Sequence, residues 1–272
     1  MQTLPLIEEF VPSLIAIRRD LHEHPETGFE EDRTSDLVAS LLISWDIEVH
    51  RNIGGTGLVG VLKGKKGAGP MIGLRADMDA LPIQEETSLP YSSKYDGKFH
   101  GCGHDGHTTV LLGAARYLAA TRDFYGTVIF IFQPAEEGLG GAKAMLRDGL
   151  FERFPCDRIY GFHNWPELEL GQVAVIPGAC MAGADFFDIE VKGRGGHGGM
   201  PQQSTDPIVA AAHLGSALQS LVSRAVDPVD APVISITRIS SAHAYNVIPS
   251  ALHMAGSVRF FSDAVRDSVV SN

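Results

Sequence analysis

Between residues 58 and 166 the chain keeps repeating one order: an apolar run of strand length, a polar cluster at its end, then a helical pattern. The runs "GLVGVLKG", "PMIGLRADMDALP", "GTVIFIFQPAEEG" and "DRIYGFHNWP" are interleaved with helical patterns after His107 and from about Gly140 to Leu150. Two amphipathic helices precede them, roughly Leu6 to Leu21 and Glu31 to Ser44. Strand and helix in alternation call for an α/β fold whose sheet is mostly parallel and covered on both faces. In such a sheet functional groups collect beyond the carboxyl ends of the strands. The clusters "RADMDALP", "QPAEEG" and "HNWP", with "HGCGHDGHT" opening a helix, are therefore expected on one rim.

The pattern changes near residue 183. In "FFDIEVKG" the apolar Phe187, Ile189 and Val191 alternate with Asp188, Glu190 and Lys192, the signature of a strand with one wet face. Asp206-Pro207 supplies an N-cap and a first-turn proline for a helix to about Arg224, with Ala211, Leu214, Leu218, Leu221 and Val222 on one stripe. Two more strands, "PVISITRIS" and "SALHMAGSVRFF", come next, and then a helix opened at Ser262. Residues 1–182 and 183–272 are thus expected to be separate domains, the second a small α+β unit with its helices on one face.

Composition narrows the function classes. Acidic residues outnumber basic ones 33 to 22, a formal charge of −11, which argues against nucleic acid as a partner. The three cysteines, Cys102, Cys156 and Cys180, are odd in number and widely spaced, as reduced thiols rather than a disulfide framework would be. No apolar run approaches membrane-spanning length and the N-terminus reads as a helix rather than a leader, so a cytoplasmic protein off the membrane is expected.

Each polar cluster has a plain reading of its own. Cys102 with His104 suits a polar loop over a buried thiol, Glu136-Glu137 a solvated pair after a strand, His163 a satisfied core histidine, and Asp77 and Asp79 strand-end caps. Four such clusters on one rim are a different matter, because Asp, Glu, His and Cys together make a good ligand set for a transition metal. Their types suit Mn, Zn, Co or Ni without choosing among them.

The motifs "LHEHPETGFEE", "RADMDALPIQE", "HGCGHDGHT", "QPAEEG", "GFHNWP", "GGHGGMP" and "NVIP" resemble the M20 metallopeptidase superfamily, specifically its amidohydrolase branch of hippurate hydrolases, bacterial aminoacylases and auxin-conjugate hydrolases. The resemblance implies a two-metal catalytic domain with an inserted lid domain that also forms homodimers. Carried over residue by residue, it makes Cys102, His104, Glu137 and His163 ligands of two divalent ions and Glu136 the general base. It makes His197 and Asn246 substrate contacts from the lid, His197 reaching across a dimer. Asp79 and Asp105 are candidates for orienting ligand imidazoles. His22, His24, His50, His100, His213, His243 and His253 are taken as structural or exposed, and His107 is not assigned.

Family members continue past this chain's last residue and draw one more histidine ligand from there, so a C-terminally truncated chain, with both domains incomplete, is expected. Two readings stand side by side: hydrolysis of the amide of a small N-acyl amino acid, or a non-catalytic remnant that binds metal or a partner without turnover.

Overall fold

The computed structural model describes residues 4–241 and 244–272. His243 lies outside them. The chain divides into two compact units, Met1–Gln172 and Val173–Asn272, so the loop ahead of Gly183 goes with the second.

The first unit opens with helices α1 (Pro5–Glu23) and α2 (Asp32–Ser44). Strands β1 (Glu48–Arg51), β2 (Leu58–Lys63) and β3 (Met71–Asp77) come after them, then helix α3 (His104–Thr121), β4 (Thr127–Gln133), α4 (Gly141–Arg147), α5 (Leu150–Arg153) and β5 (Arg158–Gly161). The five strands form one sheet in the order β1-β2-β4-β3-β5. Alternation along β4 shows how both faces are covered. Val128, Phe130 and Phe132 pack with Val38 and Leu42 of α2 and with Leu111, Leu112 and Ala115 of α3, whereas Ile129 and Ile131 pack with Met145, Leu150 and Phe154.

The expectation of a mostly parallel sheet is corrected. β3 pairs in parallel with β4 and β5, but β1 with β2 and β2 with β4 are antiparallel. The physical reason is the connection: β1 and β2 are joined by the short loop 52–57, closed by the Ile53 N–H on the Gly57 carbonyl, and a parallel return needs a crossover of a dozen or so residues. The sheet is mixed, with its parallel part confined to β4-β3-β5. The helix expected from Gly140 to Leu150 is also divided, because α4 stops at Arg147 and α5 restarts after a left-handed Gly149.

The second unit contains β6 (Gly183–Lys192), β7 (Gly196–His197), α6 (Pro207–Arg224), β8 (Val233–Ser240), β9 (Val247–Ile248), β10 (Ala251–Phe260) and α7 (Asp263–Ser271). β6, β10 and β8 form an antiparallel sheet in that order, and β7 with β9 a two-stranded ribbon. Ala211 of α6 packs on Leu252 and Met254, and Val265 and Val269 of α7 on Ile234, Val258 and Phe260. Among the described residues no helix is long and apolar enough to cross a membrane.

Candidate metal centre

The three mutually parallel strands end together, and the loops beyond their carboxyl ends build the site: Asp77 and Asp79 at the end of β3, Glu136 and Glu137 beyond β4, His163 and Asn164 beyond β5. Helix α3 begins beside them at His104, capped by Gly103 at φ +88°. A side chain at residue 103 would be strained by that φ and would lie 3.0 Å from the Asn164 amide carbon, so glycine is required for the helix to start this close to the β5 loop.

His104 is the hub. Its imidazole is fully buried, and its Nδ1–H donates to Asp79 Oδ1 at 3.2 Å. That bond leaves Nε2 as the free nitrogen, and Nε2 is buried without a hydrogen-bond partner. Around it stand Asp77 Oδ2 at 3.6 Å, Glu137 Oε1 at 3.8 Å and Glu136 Oε2 at 4.0 Å, all too far for a hydrogen bond. Burial opposes charge on His104, yet the contacts with Asp79 and Cys102 and the charges of Asp77 and Asp79 push its pKa up to about 11. What the cluster stabilises is positive charge at this point, whether a proton or a metal ion carries it.

The other expected ligands converge here. Cys102 Sγ lies 3.4 Å from His163 Nε2, while His163 Nδ1–H is held by the Asn164 carbonyl at 2.7 Å. Three groups of donors, Cys102-His104-His163, His104-Glu136-Glu137 and Asp77-His104-His107, each place one ligand atom per residue within 4.8 Å of the others. The orphaned Nε2, the thiol and the carboxylates fit a pair of divalent transition ions. Orienting one imidazole nitrogen through a carboxylate on the other is how such sites fix a ligand. Glu136 has its pKa raised, first by burial and then by the neighbouring Glu137 and Asp77 carboxylates.

Asp79 does more than hold His104, since its Oδ2 accepts the Glu137 N–H at 2.9 Å. Asp105 is placed otherwise than expected. Its carboxylate takes the His22 Nδ1–H at 2.6 Å, Arg18 Nε at 3.0 Å and the Gly106 N–H at 2.8 Å, and none of these is an expected ligand. Asp77 lies against the hub instead. Burial works against its charge, but the His107 hydrogen bond at 2.6 Å and the charges of His104 and Arg75 hold its pKa well below the usual carboxylate range.

His107, unassigned from sequence, links Asp77 to the β5 loop. Its Nε2 accepts the Asn164 N–H at 3.1 Å, and its ring packs 4.6 Å from that of His163. Helical spacing carried that signal, because residues 104 and 107 share a face.

His197 and Asn246 lie in the second unit, adjoining on the β7-β9 ribbon, where the Gly198 N–H donates to the Asn246 carbonyl at 2.8 Å. Gly199 N–H donates to His197 Nδ1 at 3.0 Å, which leaves the neutral ring presenting Nε2–H as a donor. The ring borders an open hollow lined by Gly195, Gly196, Val247 and Ile248.

Comparison with known proteins agrees with this geometry. Residues 73–259 match the model of peptidase family M20/M25/M40. A hippurate hydrolase of Campylobacter jejuni is 50% identical over 98% of this chain and 69% of its own length. An N-acetylcysteine deacetylase of Bacillus subtilis is 45% identical over 96% and 68%. An IAA-amino acid hydrolase of Arabidopsis thaliana is 43% identical over 92% of this chain, which spans only 56% of it. Among solved structures, a Bacillus subtilis dinuclear metal binding peptidase from the M20 family superposes with a TM-score of 0.73 at 41% identity, over 96% of this chain and 67% of that one.

Proposed function

This chain belongs to peptidase family M20/M25/M40 and is a hydrolase of its amidohydrolase branch; on that premise we propose that it cleaves the amide of small N-acyl amino acids with two divalent ions and Glu136 as general base. The observation that carries the reading is the buried, unpartnered Nε2 of His104 facing three carboxylates beside the Cys102–His163 pair.

Cys102, His104, Glu137 and His163 would hold the ions. Bound there, the ions supply Lewis acidity that lowers the pKa of a water from 15.7 towards about 7 and polarises an amide carbonyl. Asp79 keeps His104 in the tautomer that offers Nε2. Glu136 takes the proton of the attacking water and returns it to the leaving amine nitrogen as the C–N bond breaks, so the products are a carboxylic acid and a free amino acid. His197 would offer its Nε2–H to the developing oxyanion in the site of a second copy and Asn246 would contact substrate, the second unit acting as a lid through which two copies pair.

Metal titration of the purified, metal-stripped chain tests the reading, together with assay of amino acid released from N-benzoyl and N-acetyl conjugates. We expect two equivalents of Mn, Zn, Co or Ni and release from at least one conjugate. Two ions bound with no release favours metal binding without turnover; no bound metal overturns both.

A further inference from the structure

The N-terminal "TGFEE" stretch has no part in the chemistry above, yet it ends in a carboxylate buried completely. Glu31 is 0% exposed. It is the N-cap residue of α2 but does not cap it, because the first-turn N–H groups of Arg33 and Thr34 go to the Glu26 carboxylate at 3.0 and 2.7 Å. The Glu31 side chain instead crosses to the end of β4. Its Oε1 accepts the Ala135 N–H at 2.7 Å, and its other oxygen takes the Thr56 hydroxyl.

Ala135 is an unusual recipient. It is fully buried with φ +49°, a left-handed conformation that non-glycine residues keep only where their surroundings over-determine it. It directly precedes Glu136 and Glu137. The same stretch supplies a second constraint, since a Cβ at Gly28 would come within 3.0 Å of Ala135 Cα. On the far side of the turn Asp79 holds the Glu137 N–H at 2.9 Å, and the Ala135 carbonyl receives the Gly141 N–H at 3.0 Å.

We propose that Glu31 is a positioning residue of the site: its buried oxygen, bonded to the Ala135 N–H, holds the turn Pro134–Gly138 in its left-handed form and so aims Glu136 and Glu137. The inference rests on the roles assigned to those two glutamates. What matters is an acceptor at the full reach of the side chain. Glu31→Gln keeps a carbonyl oxygen there, whereas Glu31→Asp keeps the charge but withdraws the oxygen by one methylene.

The test compares these two variants in the full chain. In metal-free protein, amide hydrogen exchange of the peptide 134–138 should be at least about tenfold faster in Glu31→Asp and within about threefold of wild type in Glu31→Gln, with exchange along α3 unchanged. Cobalt affinity should fall about tenfold in Glu31→Asp and recover in Glu31→Gln, and amide hydrolysis should lose kcat with KM within about twofold. If both variants exchange as wild type, or both loosen alike, the proposal is overturned. The exchange arm needs neither metal nor turnover, so a wild-type chain without cobalt binding or hydrolysis would sink the proposed function and leave the Glu31 clamp to be judged by exchange alone.

Discussion

The metal-centre rim of the first unit and the His197–Asn246 ribbon of the second are held by different means. On the rim Asp77, Asp79, Asp105, His22, His104 and His107 are all buried, and each is fixed by at least one other side chain. On the ribbon His197 and Asn246 are exposed, and backbone N–H groups hold them. The contrast arises from what each is asked to do. A buried charge survives only when paired and hydrogen-bonded, so His104 and the carboxylates behind it need a lattice of partners, while the other expected ligands, Cys102, Glu137 and His163, stand at its open side. A group proposed to meet substrate from solvent has no such cost: the His197 ring takes one bond from the Gly199 N–H, and Asn246 is tied through its main-chain carbonyl alone.

The sharpest way to break this contrast is at Glu136, which with Glu137 is open to solvent beside the buried Asp77 and Asp79. Glu136→Gln should lower kcat by roughly 10² to 10⁴ while metal content stays at the wild-type value. Loss of metal with little loss of rate per metal would move Glu136 into the ligand lattice and Glu137 out of it.

Next comes the lattice itself. His22 is surrounded by Asp105, Glu85, Arg18 and, ring to ring, His100. Burial lowers its pKa, but the hydrogen bond and charge of Asp105 outweigh this, and the net direction is up. A folded pKa raised above the unfolded one means that the stabilisation is complete below about pH 6.5 and is lost as pH rises through the folded value. Removing one partner of a buried pair costs about 3 kcal/mol or more, so His22→Ala should melt well below wild type at pH 6, with the gap narrowing as pH rises through the raised folded pKa of His22. A gap independent of pH would mean that His22 contributes packing rather than charge.

Ligand loss is expected to be smaller. Cys102→Ala and His163→Ala should each weaken metal affinity by at least the 10 to 100-fold that loss of a supporting residue costs. Unchanged affinity in both, measured by titration of metal-stripped protein, would remove the Cys102–His163 pair from the site.

These experiments probe features that were unequally visible in the sequence. The rim was legible because ligand types cannot hide after apolar runs: an Asp, a Glu pair and a His at strand ends stand out once β3, β4 and β5 are recognised. Which carboxylate faces which imidazole was not legible, since that depends on distances across elements. Asp105 sits beside His104 in sequence but serves His22, whose partner is 83 residues away, and Asp77 approaches the hub from another strand. The antiparallel half of the sheet was missed because burial on both faces gives β2 the same apolar run as a parallel strand. Glu31 was missed for a similar reason: in "GFEE" nothing tells the exposed Glu30 from the fully buried Glu31.

The smallest effect tests whether the two regions are independent. Asp206 caps α6, its Oδ1 accepting the Ile208 N–H at 2.8 Å and the Val209 N–H at 3.4 Å, and Pro207 occupies the first helical position without a donor to satisfy. Asp206→Ala therefore removes the cap and nothing else, at about 1 kcal/mol. Because α6 carries Ala211 and Leu214 onto Leu252 and Met254, the loss should appear as faster amide exchange in α6 and β10. Asp206→Asn, which keeps an acceptor oxygen, should restore protection. Metal affinity should stay at the wild-type value in both variants, since the ligands expected within this chain, Cys102, His104, Glu137 and His163, all lie before residue 172. A fall in affinity that tracks the loss of the cap would show that the ribbon's unit supports the rim after all, and the division drawn between a self-sufficient lattice and a backbone-held loop would fail.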